Sequence, residues 1–208
     1  MSIQVFAQDS TRRKVTYGIG FGINHSKPVI KLSNWNDLNI SGLDTLARIS
    51  YTSQNSKQFG FNRFSRVNDK LEWSLGLEYI RKEYDIVYRY LNGQAELYKG
   101  KLEHIGFPLA IRGQVIQNDF ELDILAGSRF LYDITADKDY KSHDWALEVG
   151  LVYQKPLCNC NGYSSKMGIE LKWNYGLNDL LGARFNRYNA TISKLSLNTL
   201  SLTFYVRT

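Results

Sequence analysis

The chain has 208 residues, of which 13% are aromatic and only 3 are Pro, and its 26 Lys and Arg against 20 Asp and Glu give a formal charge of +6. This composition excludes disordered, collagen-like and low-complexity proteins, and the length favours a single domain. The basic residues are scattered, which argues against nucleic acid as a partner and favours anionic lipid or glycolipid head groups at strand ends. No run of eighteen apolar residues occurs, so a transmembrane helix is excluded.

The N-terminus is predicted to be separate from the folded domain. Residues 1–12 are interpreted as a signal-peptide remnant and tail, and residues 13–208 as one barrel domain. Val5, Phe6 and Ala7 before Gln8 resemble a signal-peptidase site, although a charged n-region and a full apolar h-region are missing upstream. A disordered N-terminus is the alternative.

Eight segments alternate apolar and polar residues with a period of two, which is typical of β-strands. They are predicted near residues 13–25, 56–67, 70–90, 95–116, 120–134, 144–156, 164–178 and 195–207. Short turns between them alternate with longer connections at 26–55, 135–143 and 179–194 and with a hairpin end near Asn92 and Gly93. This layout predicts an all-β, antiparallel up-and-down transmembrane β-barrel of about eight strands. The stretch "LARISYTSQ" inside 26–55 could raise the count to nine or ten.

The two faces of each strand differ in a way that indicates which one meets lipid. In "KMGIELKWNYGLN", from Lys166 to Asn178, the glycines share a face with Glu170 and Lys172. Glycine weakens a strand but suits the crowded interior of a narrow eight-stranded barrel, whereas the wet exterior of a soluble barrel would not need it. Buried charges must pair, so a salt-bridged lumen that plugs the barrel is predicted. The predicted lumen charge network is Glu72, Glu78, Arg112, Glu121, Asp123, Arg129, Glu148, Glu170 and Lys172.

Aromatic residues on the opposite, apolar face are predicted to form girdles at the two membrane interfaces. Trp145 and Tyr153 are eight residues apart, which at ~3.3 Å per residue and a ~40° tilt spans about 20 Å of depth. The predicted membrane-interface aromatics are Trp73, Tyr79, Trp145, Tyr153, Trp173 and Tyr175. The simple preference of aromatic residues for strands is the alternative explanation.

No catalytic, cofactor-binding or metal site is predicted. HExxH, GxSxG and Walker sequences are absent, and Gly18, Gly20 and Gly22 stand in a strand rather than before a helix. His143 and Asp144 could serve a small hydrolase, but no serine partner is apparent. Cys158 and Cys160 could form a short-range disulfide or remain two turn thiols.

The order of segments resembles the PorT-like outer-membrane β-barrel family of Bacteroidetes. The resemblance rests on "YGIGFGIN", "LEWSLGLEYIRK", "LEHIGFPLAIRG", "ILAGSRFLYD", "LEVGLVYQ" and "ELKWNYGLNDL" in this order, and it covers about residues 14–208. It departs from the family at Gly106 and Phe107 before Pro108 and at the end "FYVRT", where many outer-membrane proteins finish on an aromatic residue. The resemblance implies export, insertion by the barrel-assembly machinery and a location in the cell outer membrane.

The expected function is a small, plugged, non-enzymatic outer-membrane barrel acting as a structural or accessory subunit of an envelope or secretion assembly, type IX secretion-like by resemblance. The expected partners are outer-membrane lipid and proteins bound through the long extracellular loops, with no nucleic acid and no cofactor. Two alternatives stay open: a soluble lipocalin-like barrel that binds an apolar ligand, and a small lipid-modifying outer-membrane enzyme.

Overall fold

The computed structural model describes residues 15–32, 46–135, 142–160, 163–180 and 192–208. Each strand in this part of the chain pairs antiparallel with the next, and the last pairs with the first, so the sheet closes into a barrel. The predicted eight-stranded, up-and-down β-barrel is therefore confirmed. The strands are β1 Val15–Leu32, β2 Leu46–Arg66, β3 Leu71–Tyr90, β4 Ala95–Gln117, β5 Glu121–Asp133, β6 His143–Cys160, β7 Tyr163–Gly176 and β8 Ile192–Arg207.

The register of the strands fixes their tilt. The offset is found by following register partners from strand to strand around the barrel, starting at Phe204 on β8. In one direction the path reaches His143 on β6, through Phe21, Phe59, Tyr79, Ile105 and Tyr132. In the other direction it leads through Ile169 to Tyr153 of the same strand. The closed sheet is thus offset by ten residues, from 143 to 153, which for eight strands corresponds to a tilt of about 40°.

The first two strands are longer than the sequence pattern predicts. Residues 26–55 were expected to be a connection, but β1 continues to Leu32 and β2 already begins at Leu46. The stretch "LARISYTSQ" is therefore part of β2 rather than an additional strand. The β2–β3 register shifts between Ser53 and Gln58, and this β-bulge changes the phase of the alternation inside β2.

Short turns close one end of the barrel, as predicted. The backbone N–H of Val67 donates to the carbonyl of Leu71 at 2.8 Å, and that of Asn118 donates to the carbonyl of Phe120 at 2.9 Å. The β3–β4 turn at the opposite end is also tight, and Gly93 adopts a φ of 85° there, which suits glycine. We call these two ends the short-turn end and the long-loop end. Among the described residues, no helix is long and apolar enough to cross a membrane.

Candidate functional site

The exterior of the barrel carries a continuous apolar belt. On β7 the belt comprises Met167, Ile169, Leu171, Trp173 and Tyr175, all exposed, while their even-numbered neighbours are buried. The same outward series occurs on the other strands, for example Tyr17, Ile19, Phe21 and Ile23 on β1, Leu75 and Leu77 on β3, Phe107, Leu109 and Ile111 on β4, and Leu147, Val149 and Leu151 on β6. A surface of this kind matches the lipid-facing band of a membrane barrel.

The lumen is filled by an alternating chain of charges. Arg112 pairs with Glu170, and Glu170 lies 3.2 Å from Nζ of Lys172. That ammonium is 3.5 Å from Glu78. Nη2 of Arg129 then lies 3.0 Å from Glu78 and 3.0 Å from Glu148. The six side chains come from β4, β7, β3, β5 and β6, and all belong to the set predicted from the sequence.

The other three predicted lumen residues lie toward the short-turn end. Arg207 binds Glu72 through both guanidinium nitrogens, at 2.8 and 2.6 Å. Lys166 donates to both oxygens of Glu121, at 2.7 and 2.5 Å. Asp123 accepts from Gln154 at 2.7 Å rather than from a cation. These residues line a polar cavity of about 120 Å³ that opens at the short-turn end.

Close packing in the lumen explains why glycine is placed on this face. A Cβ added at Gly168 would lie 2.5 Å from Cζ of Tyr205, whose hydroxyl donates to Gln154 at 3.0 Å. The ring of Phe64 is covered by two cations, with the guanidinium carbons of Arg112 and Arg207 at 4.5 and 4.6 Å from its centroid. The interior is thus packed by side chains over this part of the barrel.

A second, apolar layer, which the alternation in the sequence did not predict, fills the lumen toward the long-loop end. Its buried members are Tyr84, Ile86, Tyr88, Leu102, Leu180, Leu195 and Leu197. Leu180 enters the layer from the start of the β7–β8 connection, where its N–H donates to the carbonyl of Leu195 at 2.7 Å. Between the two layers, Nζ of Lys82 lies 3.9 Å from Asp144.

At the height of this apolar layer the exterior of the barrel is charged. Above the belt, the inner face is therefore apolar and the outer face polar, the reverse of the arrangement within the belt. On β3 the outward residues after Tyr79 include Arg81, which pairs with Glu83, and on β4 Lys101 lies 2.7 Å from Glu103. The hydrogen bond from Lys101 lowers the pKa of the partly exposed Glu103 carboxyl from its ordinary value. The sequence indicates this exchange of faces in "RKEYDIVYRY", where the apolar residues move from odd to even positions.

The predicted interface aromatics all lie on the exterior face. Tyr79, Trp145, Trp173 and Tyr175 lie toward the long-loop end of the belt, and Trp73 and Tyr153 toward the short-turn end. Trp73 and Tyr79 are half-buried among their neighbours, and the guanidinium carbon of Arg63 lies 5.7 Å from the centroid of the Trp73 ring.

His143 and Asp144 do not form a catalytic pair. His143 is exposed and its ring stacks beside Phe130 at 6.4 Å, while Asp144 points into the lumen toward Lys82. Within the described ranges, no three His, Cys, Asp or Glu side chains are grouped to hold a metal ion. The side chains of Cys158 and Cys160 lie outside the described residues, as do the N-terminal segment 1–14 and the loop residues 33–45, 136–141 and 181–191.

Comparison with known proteins supports the fold. No protein-family model and no curated protein matches the chain. Its structure is similar to the outer membrane protein OprG from Pseudomonas aeruginosa, with a TM-score of 0.50 and 10% identity over 94% of this chain and 95% of that one. It is also similar to Neisserial surface protein A (TM-score 0.45, 10% identity, 92% and 95%) and to the outer membrane protein AlkL (0.42, 13%, 100% and 95%). At this identity, the likeness to OprG bears on the fold alone.

The fold and the belt together describe an outer-membrane β-barrel, and the predicted location in the cell outer membrane agrees with both. The alternative of a soluble lipocalin-like barrel is wrong, because that fold would turn its apolar face inward. Here the residues at mid-belt height are apolar outside, such as Leu171, and charged inside, such as Glu170 and Lys172.

Proposed function

We propose that the chain is a plugged outer-membrane barrel that acts, without catalysis of its own, as a structural or accessory subunit of an envelope or secretion assembly. The observation that carries this proposal is the filled lumen. The charge chain from Arg112 to Glu148 crosses it at one height, and the apolar layer around Leu102 and Leu195 fills it at another. A barrel filled at two heights has no route for a solute.

A non-enzymatic role is favoured because the buried acids are paired with cations and the two candidate catalytic residues lie apart. The buried acids Glu78, Glu148 and Glu170 are each held by a cation, and His143 and Asp144 lie on opposite faces of the wall. The resemblance to PorT-like barrels supports an assembly of the type IX secretion class. The connections over 33–45, 136–141 and 181–191 are the proposed contacts with protein partners.

Capture from native outer membranes tests this function. The tagged full chain would be isolated in mild detergent beside a variant in which residues 182–190 are replaced by a Gly-Ser linker of equal length. We expect a defined set of envelope proteins with the wild type and its loss with the variant, while both barrels remain folded. If the wild type captures nothing beyond what an unrelated tagged barrel captures, the subunit role is wrong.

The lipid-modifying enzyme is tested separately by deleting the gene. We expect phospholipid and glycolipid profiles to stay unchanged, because His143 is exposed while Asp144 is buried beside Lys82 in the lumen, so that Asp144 cannot orient this histidine as a base. A lipid species that disappears on deletion, and returns with the wild type, would establish the enzyme instead.

A further inference from the structure

Three neighbouring strands of the barrel, β8, β1 and β2, contain no acidic residue. Every Asp and Glu within a described strand lies on β3 to β7. The acid-free strands carry Lys27, Lys31, Arg48, Lys57, Arg63, Arg66, Lys194 and Arg207. Of these, Arg207 points into the lumen and pairs there with Glu72. We call the outer surface of these three strands the basic sector.

The lysines of the basic sector lie at and above the edge of the apolar belt. Lys57 is the register partner of Ile23, which ends the continuous apolar series on β1. Lys27 is four residues further along β1, and Lys31, paired with Lys194 of β8, is eight residues further. At ~3.3 Å per residue and a tilt of ~40°, these positions stand about 10 and 20 Å above Ile23.

The exterior of β3 and β4 carries cations that form ion pairs with acids of the same strand, unlike several lysines of the basic sector. On β3 and β4, Arg81 pairs with Glu83 and Lys101 with Glu103. Lys27, Lys57 and Lys194 are exposed and have no acidic partner within the described ranges.

We propose that the basic sector binds a glycolipid that carries several phosphate groups in the outer leaflet. The lysines extend about 20 Å above the belt, whereas the polar zone of a phospholipid leaflet is only ~5–7 Å thick. A head group with phosphates at more than one height fits this spread better than a single phosphate does. Each lysine near such a head group contributes electrostatic attraction.

A lipid fits the basic sector better than an acidic protein does, because the sector continues without a break into the apolar belt. Below Lys57 lie Phe21 and Phe59, whose rings pack 4.9 Å apart on the outer surface, and Ile23 is 54% exposed. Acyl chains can cover these residues while the phosphates meet the lysines. A docked protein would use the charges but not the apolar surface below them.

Lipid binding to the full-length protein in detergent, measured by native mass spectrometry, tests the proposal. The probes are rough lipopolysaccharide with a phosphorylated core, the same preparation after dephosphorylation, phosphatidylglycerol, and inorganic phosphate. The test variant is Lys27→Gln, Lys57→Gln and Lys194→Gln together. The matched control removes three cations from β3 and β4 by Arg81→Gln, Lys99→Gln and Lys101→Gln.

We expect the phosphorylated glycolipid to bind tighter than the other three probes. Its affinity should fall by about 5-fold for each lysine removed, and added salt should weaken it. The control should change the affinity by less than about 2-fold, since Arg81 and Lys101 already pair with Glu83 and Glu103, and Lys99 is the register partner of Asp85. Equal binding of the dephosphorylated lipid or of inorganic phosphate, or an equal loss in the control, would overturn the proposal. Undiminished binding by the test variant would also overturn it and leave an acidic protein as the occupant to seek.

Discussion

The guanidinium of Arg129 and the carboxylate of Glu78 meet in the lumen at 3.0 Å, although their strands, β5 and β3, are not paired with each other. The contact reaches past β4, where Gly106, the register partner of Glu78, has no side chain to occupy the space. Arg129 also holds Glu148 at 3.0 Å and is only 2% exposed. This single cation therefore links three strands of the wall through the interior.

Replacing Arg129 should destabilise the barrel strongly. In Arg129→Met, Glu148 loses its only ion pair among the described contacts, and a buried charge left without its partner costs about 3–5 kcal/mol. The double variant with Glu148→Gln should recover part of this loss, because Glu78 still has Lys172. Urea unfolding in lipid vesicles, followed by tryptophan fluorescence, measures both changes.

The matched control is Arg81→Met, which breaks a solvent-accessible pair with Glu83 and should change stability far less than Arg129→Met does. If the double variant is less stable than Arg129→Met, the two residues do not act as a buried pair, and the charge chain is not what fills the lumen.

Adding a methyl group at Gly168 should show how tightly the lumen is packed. Gly168→Ala places its Cβ against the ring of Tyr205 and should cost about 1–3 kcal/mol. Gly113→Ala is the control, since a Cβ there meets no heavy atom within 4 Å. The cost at Gly168 should shrink in a Tyr205→Leu background. An equal cost at both glycines would show that strand propensity, not lumen crowding, explains the glycines.

A charge placed on the belt should hinder membrane insertion. Leu171→Arg should cost about 2–4 kcal/mol, because the side chain lies near the middle of the apolar belt. Leu97→Arg is the control: Leu97 is also exposed, but it lies above the belt, beside Lys99. The heat-dependent gel shift of the inserted barrel measures the yield. Normal insertion of Leu171→Arg together with failure of Glu170→Leu would mean that the two faces are reversed.

The two filled layers predict a barrel that does not conduct ions until both are removed. We expect no current steps from the wild type in planar bilayers. Removing part of the charge chain by Arg129→Ala and Lys172→Ala should leave it closed, since Leu102 and Leu195 still fill the lumen. Adding Leu102→Ala and Leu195→Ala should produce current steps. Steady conductance by the wild type would contradict the plugged state.

The sequence revealed the strand number and the two faces because both depend on local order. Alternation along "KMGIELKWNYGLN" and the short turns before Leu71 and Glu121 are sufficient for that purpose. The end of β1 and the start of β2, both at the long-loop end, were not predicted, and the reason is physical. Above the belt the outer solvent changes from lipid to water, so the polar and apolar faces exchange, and the bulge between Ser53 and Gln58 shifts the phase again.

The lumen residues could be predicted as a set, but not as pairs. In a strand with one apolar face, a charged residue is assigned to the other face by its position in the alternation. All six members of the charge chain were identified in this way. Which acid meets which base depends on the ten-residue offset of the closed sheet and on side chains that reach past a strand. Lys82 was missed because it lies between the charged Arg81 and Glu83, so polarity alone does not assign its face, and Arg207 was missed because the alternation ends there.

The most direct test of a membrane barrel with a belt that ends between Glu103 and Ile105 is the accessibility of spin labels along the exterior of β4. Single cysteines would be placed at Lys99, Lys101, Phe107 and Leu109 after Cys158→Ser and Cys160→Ser, and the protein would be reconstituted in lipid vesicles. Labels at Lys99 and Lys101 should be relaxed by a water-soluble nickel complex, and labels at Phe107 and Leu109 by oxygen but not by nickel. Nickel access at all four positions would contradict the membrane barrel.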